Sequence, residues 1–156
     1  EQLPQKHTGM VTQHSIREDH KHTISILLAE DNPVNQKLAL TMLSKAGYTV
    51  EVAGNGSEAV EIYSSAPQKY DIILMDIQMP RLNGHDATRI LREKGFKHVP
   101  IIAMTANAMK GDREKCLESG MNDYIAKPIN REVVFEMLDK WVFERPFLKD
   151  QDVVAW

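Results

Sequence analysis

The chain has 156 residues, 26% of them charged and 42% hydrophobic, with a formal net charge of −3. That length suits one domain with tails, and the slight acidity gives no basic footprint for nucleic acid. No apolar run approaches the ~20 residues of a membrane span and no signal-peptide core opens the chain. The lone Cys116 gives no disulfide framework, so a cytoplasmic setting with no direct membrane contact is expected. Cys116 lies among Arg113, Glu114, Lys115 and Glu118 on an expected helix, and reads as a structural thiol.

Residues 1–22 are polar and show neither helical nor strand periodicity. They read as a linker or tail, in which His14, His20 and His22 have no folded frame to make a metal site. From Ile24 onward, strand-like and helix-like segments alternate. Ile24–Ala29 is a continuous apolar run, as in a central parallel strand buried on both faces. Asn32-Pro33 reads as an N-cap with proline at the first helical position, opening a helix through Val34, Leu38, Met42 and Leu43 that stops at Gly47. Thr49–Ala53 alternates around Glu51 like an edge strand, and Ser57 is expected to cap a helix through Ala59, Val60, Ile62 and Tyr63, ended by Pro67.

Asp71–Met75 reads as the third strand and His85–Glu93 as the third helix, closed by Gly95. Pro100–Met104 is the fourth strand, a helix around Arg113–Ser119 ends at Gly120, and Asp123–Ala126 is a short fifth strand. Asn130 caps a last helix holding Val133, Val134, Met137, Leu138 and Trp141. This alternation predicts a parallel sheet covered on both faces, a domain over residues 23–143, and a tail over residues 144–156.

The strand ends carry the chemistry. Glu30-Asp31, Asp76, Thr105 and Lys127 each follow an apolar run, so in one parallel sheet they open into the same crevice. Hard oxygen ligands without His or Cys suit Mg²⁺. Two carboxylates ~4 Å apart repel by about 4 kcal/mol at an effective dielectric of ~20, a conflict that a dication or Lys127 relieves. Thr105 offers a hydroxyl and Ala106 a backbone N–H to phosphoryl oxygens, and the Lys127-Pro128 bond is a candidate cis peptide. The set suits Mg²⁺-assisted phosphoryl transfer onto an aspartate.

A competing signal is Val50–Ala59, a strand-GxGxxA-helix match to dinucleotide-binding turns. That fingerprint belongs on a central strand, whereas Glu51 marks an edge, and it leaves the four strand-end positions unused. The Gly54-Asn55-Gly56 run therefore reads as a tight β-α turn.

Four ordered motifs resemble those of response-regulator receiver domains of two-component signalling, most of all the receivers of bacterial hybrid sensor histidine kinases. They are Ala29-Glu30-Asp31-Asn32 with Asn35 and Gln36; Met75-Asp76-Ile77-Gln78-Met79-Pro80 with Gly84; Met104-Thr105-Ala106-Asn107-Ala108; and Gly120-Met121-Asn122-Asp123-Tyr124-Ile125-Ala126-Lys127-Pro128. The resemblance spans residues 24–142. It implies a (βα)5 flavodoxin-like, doubly wound α/β fold in three layers, with strand order 2-1-3-4-5.

It further implies that Asp76 is the phosphoacceptor and that Asp31, Asp76 and the backbone carbonyl of Gln78 bind Mg²⁺, with Glu30 assisting through water. Thr105, Ala106 and Lys127 would hold the phosphoryl group, and Thr105 with Tyr124 would form a switch. Implied partners are a histidine kinase or a histidine phosphotransfer domain, docking near Val34, Asn35, Leu38 and Met42. The chain would then be a signalling module within or beside a kinase, not a stand-alone enzyme. A phosphatase of the haloacid-dehalogenase type would need a second Asp where Gln78 stands, and a degenerate receiver would lack part of the acid-Asp-Thr-Lys set.

Overall fold

The computed structural model describes residues 24–106 and 110–143, so the tail readings for residues 1–22 and 144–156 lie outside the described residues. Five parallel strands form one sheet: β1 (Ser25–Ala29), β2 (Thr49–Ala53), β3 (Ile72–Asp76), β4 (Ile101–Thr105) and β5 (Asp123–Ala126). Their order is β2-β1-β3-β4-β5, the doubly wound order expected. The helices are α1 (Pro33–Lys45), α2 (Gly56–Ser65), α3 (Gly84–Glu93), α4 (Lys110–Ser119) and α5 (Arg131–Leu138).

Alternate residues of each strand feed two cores. Leu27, Ala29, Ile73, Met75, Ile101 and Ala103 pack with residues of α2, α3 and α4. Ile26, Leu28, Ile72, Leu74, Ile102 and Met104 pack with Ala39 and Leu43 of α1 and Val134 and Leu138 of α5. The result is three layers, with β1, β3 and β4 buried on both faces, which is why their runs are apolar without alternation. At roughly 2 kcal/mol for each fully buried Leu or Ile side chain, these strands supply much of the drive to fold. The polar β2 is an edge, as Glu51 foretold; its carboxylate accepts from the Tyr70 hydroxyl and from Lys69.

Asparagines start four helices. Asn32, Asn55, Asn83 and Asn130 each accept backbone N–H groups of the first turn of α1, α2, α3 and α5. Helix α1 is left through Gly47 at φ 100° and α4 through Gly120 at φ 108°, a conformation that side chains with a Cβ resist.

The expected boundaries need four corrections. Asn55, not Ser57, caps α2: its side chain accepts from Glu58 N, while Glu58 Oε1 accepts from Gly54 N, one residue before the cap. Helix α3 begins at Gly84 because Asn83 caps it. Strands β3 and β4 run on through Asp76 and Thr105, since Ile77 N still donates to Met104 O and Lys127 N to Thr105 O. Trp141 lies beyond α5 in a π-helical turn, Asp139–Phe143, where its indole N–H and Lys140 Nζ both donate to Asp123 Oδ2.

Candidate functional site

Parallel strands end together, so β1, β3, β4 and β5 deliver their last residues to one edge of the sheet. Registers Ala29↔Met75, Asp76↔Met104 and Thr105↔Ala126 set Glu30, Asp76, Thr105 and Lys127 side by side. They line a cleft of about 180 Å³ together with Asp31, Gln78 and Ala106. Every expected site residue except Tyr124 therefore meets in one place.

Carboxylate oxygens of Glu30, Asp31 and Asp76 all lie within 4.8 Å of one another. Glu30 is 2% exposed and Asp76 4%, while Asp31 is open to solvent. Lys127 Nζ bridges the two buried acids, 3.1 Å from Glu30 Oε1 and 3.1 Å from Asp76 Oδ2. The Lys127-Pro128 peptide is cis, as the sequence suggested.

Burial and the neighbouring Glu30 charge push the Asp76 carboxyl up to about 6, against the pull of Lys127. Burial alone would lower the Lys127 ammonium, but its hydrogen bonds to Asp76 and Glu30 hold it above its ordinary value. The donor set is all oxygen, two of its acids are buried with one lysine between them, and one side opens to water. Such a set fits a hard divalent ion such as Mg²⁺.

The loop after Asp76 is held by close packing. A Cβ on Gly84 would strike the carbonyl oxygen of Asp76, and Gly84 N donates to Ile77 O at 2.8 Å, so only glycine lets α3 start this near the cleft. The glycines of the dinucleotide-like run serve a similar end. A Cβ on Gly56 would strike Leu82 O, and the α2 terminus is filled by its own Asn55 and Glu58 side chains, leaving no phosphate cradle.

Tyr124 is half-buried outside the cleft and packs against the core on the α2–α4 side. Because Ala126 is level with Thr105, Tyr124 and Thr105 point to the same face of the sheet. Cys116 is 1% exposed and its thiol is raised by burial, consistent with a structural role. Val34 and Leu38 of α1 stand 72% and 56% exposed, whereas Asn35 and Met42 are only partly so. Asn35, expected in the docking surface, and Gln36, noted only as part of a motif, both reach back to Glu30.

Residues 26–139 match the family described as response regulator receiver domain. Hybrid signal transduction histidine kinase I of Dictyostelium discoideum is 49% identical over 120 residues, which cover 73% of this chain and 7% of that protein. Two-component system protein A of Emericella nidulans is 46% identical over 117 residues, covering 74% of this chain and 17% of that protein. The chain thus spans a small part of the length of these relatives.

Among solved structures, the receiver domain of sensor histidine kinase PA1611 from Pseudomonas aeruginosa has magnesium in its active-site cleft. It superposes with a TM-score of 0.68 at 49% identity, covering 76% of this chain and 97% of that one. The Saccharomyces cerevisiae Ssk1 receiver, crystallised with the histidine phosphotransfer protein Ypd1, gives 0.73 at 31% identity over 79% and 91%. Fold, cleft and relatives agree, and the chain belongs to the response regulator receiver family of two-component phosphorelay signalling.

Proposed function

We propose that Asp76 takes a phosphoryl group from a phosphohistidine of a kinase or phosphotransfer domain. The observation that carries this reading is the cleft itself: a buried Asp76 flanked by Glu30 and Asp31, bridged to Lys127, with Thr105 alongside. A carboxylate oxygen of Asp76 attacks phosphorus, the P–N bond to the donor imidazole breaks, and the imidazole leaves with that electron pair. Asp31, Asp76 and the backbone carbonyl of Gln78 would hold Mg²⁺, with Glu30 acting through water. When bound, the ion would supply positive charge that offsets the repulsion between the carboxylate and the phosphoryl group. Lys127 turns from the acyl-linked Asp76 to one phosphoryl oxygen, and the Thr105 hydroxyl and Ala106 N–H serve the others. Thr105 moving toward the phosphoryl group draws Tyr124 after it and changes the surface.

The partner surface is the outer face of α1. Val34, Leu38 and Met42 line an open groove of about 580 Å³ with Lys37, Lys45 and Arg131 among its walls. An apolar floor with basic edges suits the helical face of a histidine-bearing bundle with acidic flanks. The chain then acts as one station of a longer hybrid kinase on the cytoplasmic side, passing phosphate between histidine and aspartate. No helix among the described residues is long and apolar enough to cross a membrane.

Acetyl phosphate with Mg²⁺ tests the chemistry. Intact mass should rise by one phosphoryl group in the wild type and not in Asp76→Asn; equal labelling of both would reject Asp76. Leu38→Ala should slow transfer from a purified donor at least tenfold while acetyl phosphate labelling stays at the wild-type rate.

A further inference from the structure

Glu30 is buried beside another acid, so its conformation has to be enforced. Oε1 accepts from Lys127 Nζ at 3.1 Å. Oε2 accepts from Asn32 N at 3.1 Å and from Asn35 Nδ2 at 3.4 Å. Its main-chain carbonyl accepts from Gln36 Nε2 at 2.6 Å. Two adjacent amide side chains of the first turn of α1 thus hold one residue by two different handles, while Val34 and, one turn on, Leu38 face outward. A glutamate loses on the order of 2 kcal/mol of rotamer freedom when fixed, so left alone it would sample other positions. It could fold wholly onto Lys127 and strip that lysine from Asp76.

We propose that Asn35 and Gln36 are positioning residues that clamp Glu30, keeping Lys127 shared between Glu30 and Asp76 and the acid cluster spaced for a divalent ion. Oε1 accepts one donor and Oε2 two, so the clamp fixes where the remaining lone pair of Glu30 points relative to the cleft. For its bearing on phosphorylation the inference rests on the phosphoacceptor reading above; for cation binding it stands alone. Residues supporting a ligand shell typically matter 10–100-fold in metal affinity.

The test uses the full chain with MgCl2 as probe in titration calorimetry, alongside acetyl phosphate labelling. Asn35→Ala and Gln36→Leu should each raise the Mg²⁺ Kd about tenfold. The double variant should lose less than the product of the two, because both act on Glu30. Ser44→Ala, exposed on the same helix, should bind Mg²⁺ like the wild type. At saturating Mg²⁺ the labelling rates of the two single variants should return to within about threefold of wild type.

Mg²⁺ affinities within twofold of wild type in both variants would overturn the clamp, even if their melting temperatures fall. Should Gln36→Leu misfold, Gln36→Met is judged by the same criterion. If Asp76→Asn labels like the wild type while both variants lose Mg²⁺ affinity, the phosphoacceptor reading fails and the clamp survives. If the wild type binds no Mg²⁺, the clamp falls.

Discussion

Lys127 and Asp76 lie 51 positions apart in sequence and meet through a 3.1 Å ion pair across the end of β4, which separates β5 from β3. The same ammonium serves Glu30 at equal distance. One lysine therefore offsets two buried carboxylates, and the cleft's resting charge depends on it.

Replacing Lys127 with Met should leave both acids without their cation. Breaking a buried pair costs ~3–5 kcal/mol, and with Lys127 side chain 19% exposed the lower end applies. Denaturant melts in chelator should show a loss of about 2–3 kcal/mol, part of which excess Mg²⁺ restores. A melt unchanged in chelator would mean that solvent already screens the two acids.

The raised Asp76 carboxyl gives apo stability a pH dependence of definite sign. Folded, the group takes up its proton at about 6, against 3.8 for the free side chain. Between these values the folded state binds more protons, so this contribution is fully present below about 4 and is lost as pH rises through about 6. Its size is on the order of 3 kcal/mol. In chelator, the wild type should gain stability relative to Asp76→Asn as pH falls from 7.5 to 5. Saturating Mg²⁺ should abolish that difference, because the ion favours the charged carboxylate. Parallel wild-type and variant curves in chelator would show that burial does not disfavour the charge.

Thr105 and Tyr124 share a sheet face two positions apart in register, which gives motion at one a route to the other. Thr105→Ala should still accept a phosphoryl group from acetyl phosphate. The phosphorylation-dependent NMR shifts of Tyr124 should disappear in that variant. Identical shifts in wild type and variant would sever the two residues.

Thr88 lies on α3 facing the turn after α4, completely buried, and its hydroxyl finds no hydrogen-bond partner among the described residues. An unsatisfied buried hydroxyl costs ~1–3 kcal/mol, so the near-isosteric Thr88→Val should raise stability by about 1 kcal/mol. A loss of 1 kcal/mol or more in urea melts would point to a hydrogen bond formed through water.

The strands were readable because a strand buried on both faces must be apolar throughout, and Ile72–Met75 or Ile101–Met104 has no helical stripe to confuse it, whereas their order came from the family resemblance alone. The cleft followed from the same fact, since a polar residue that ends such a run has only the sheet's edge to go to. What escaped was settled by partners far away in sequence. Asn55 and Ser57 are both good caps; the choice fell to Asn55, with Gly56 lodged against Leu82 O at the start of the helix. Trp141 left the expected helix to reach Asp123, 18 positions back. Asn35 and Gln36 stood in the sequence as motif residues, Asn35 also as a docking residue, but their hold on Glu30 needed the direction of the Glu30 side chain.

The contact between Gly56 and Leu82 reaches beyond the turn in which it occurs. Gly56 N donates to Leu82 O at 3.1 Å, so the edge strand's turn props the loop that runs from Asp76 to α3. A saturation screen scored by phosphorylation would return position 56 among its strongest hits, although that residue touches none of the reacting groups. Anyone grafting the acid cluster onto another βα scaffold would have to transplant this remote buttress as well, or the loop behind Asp76 would lose its footing.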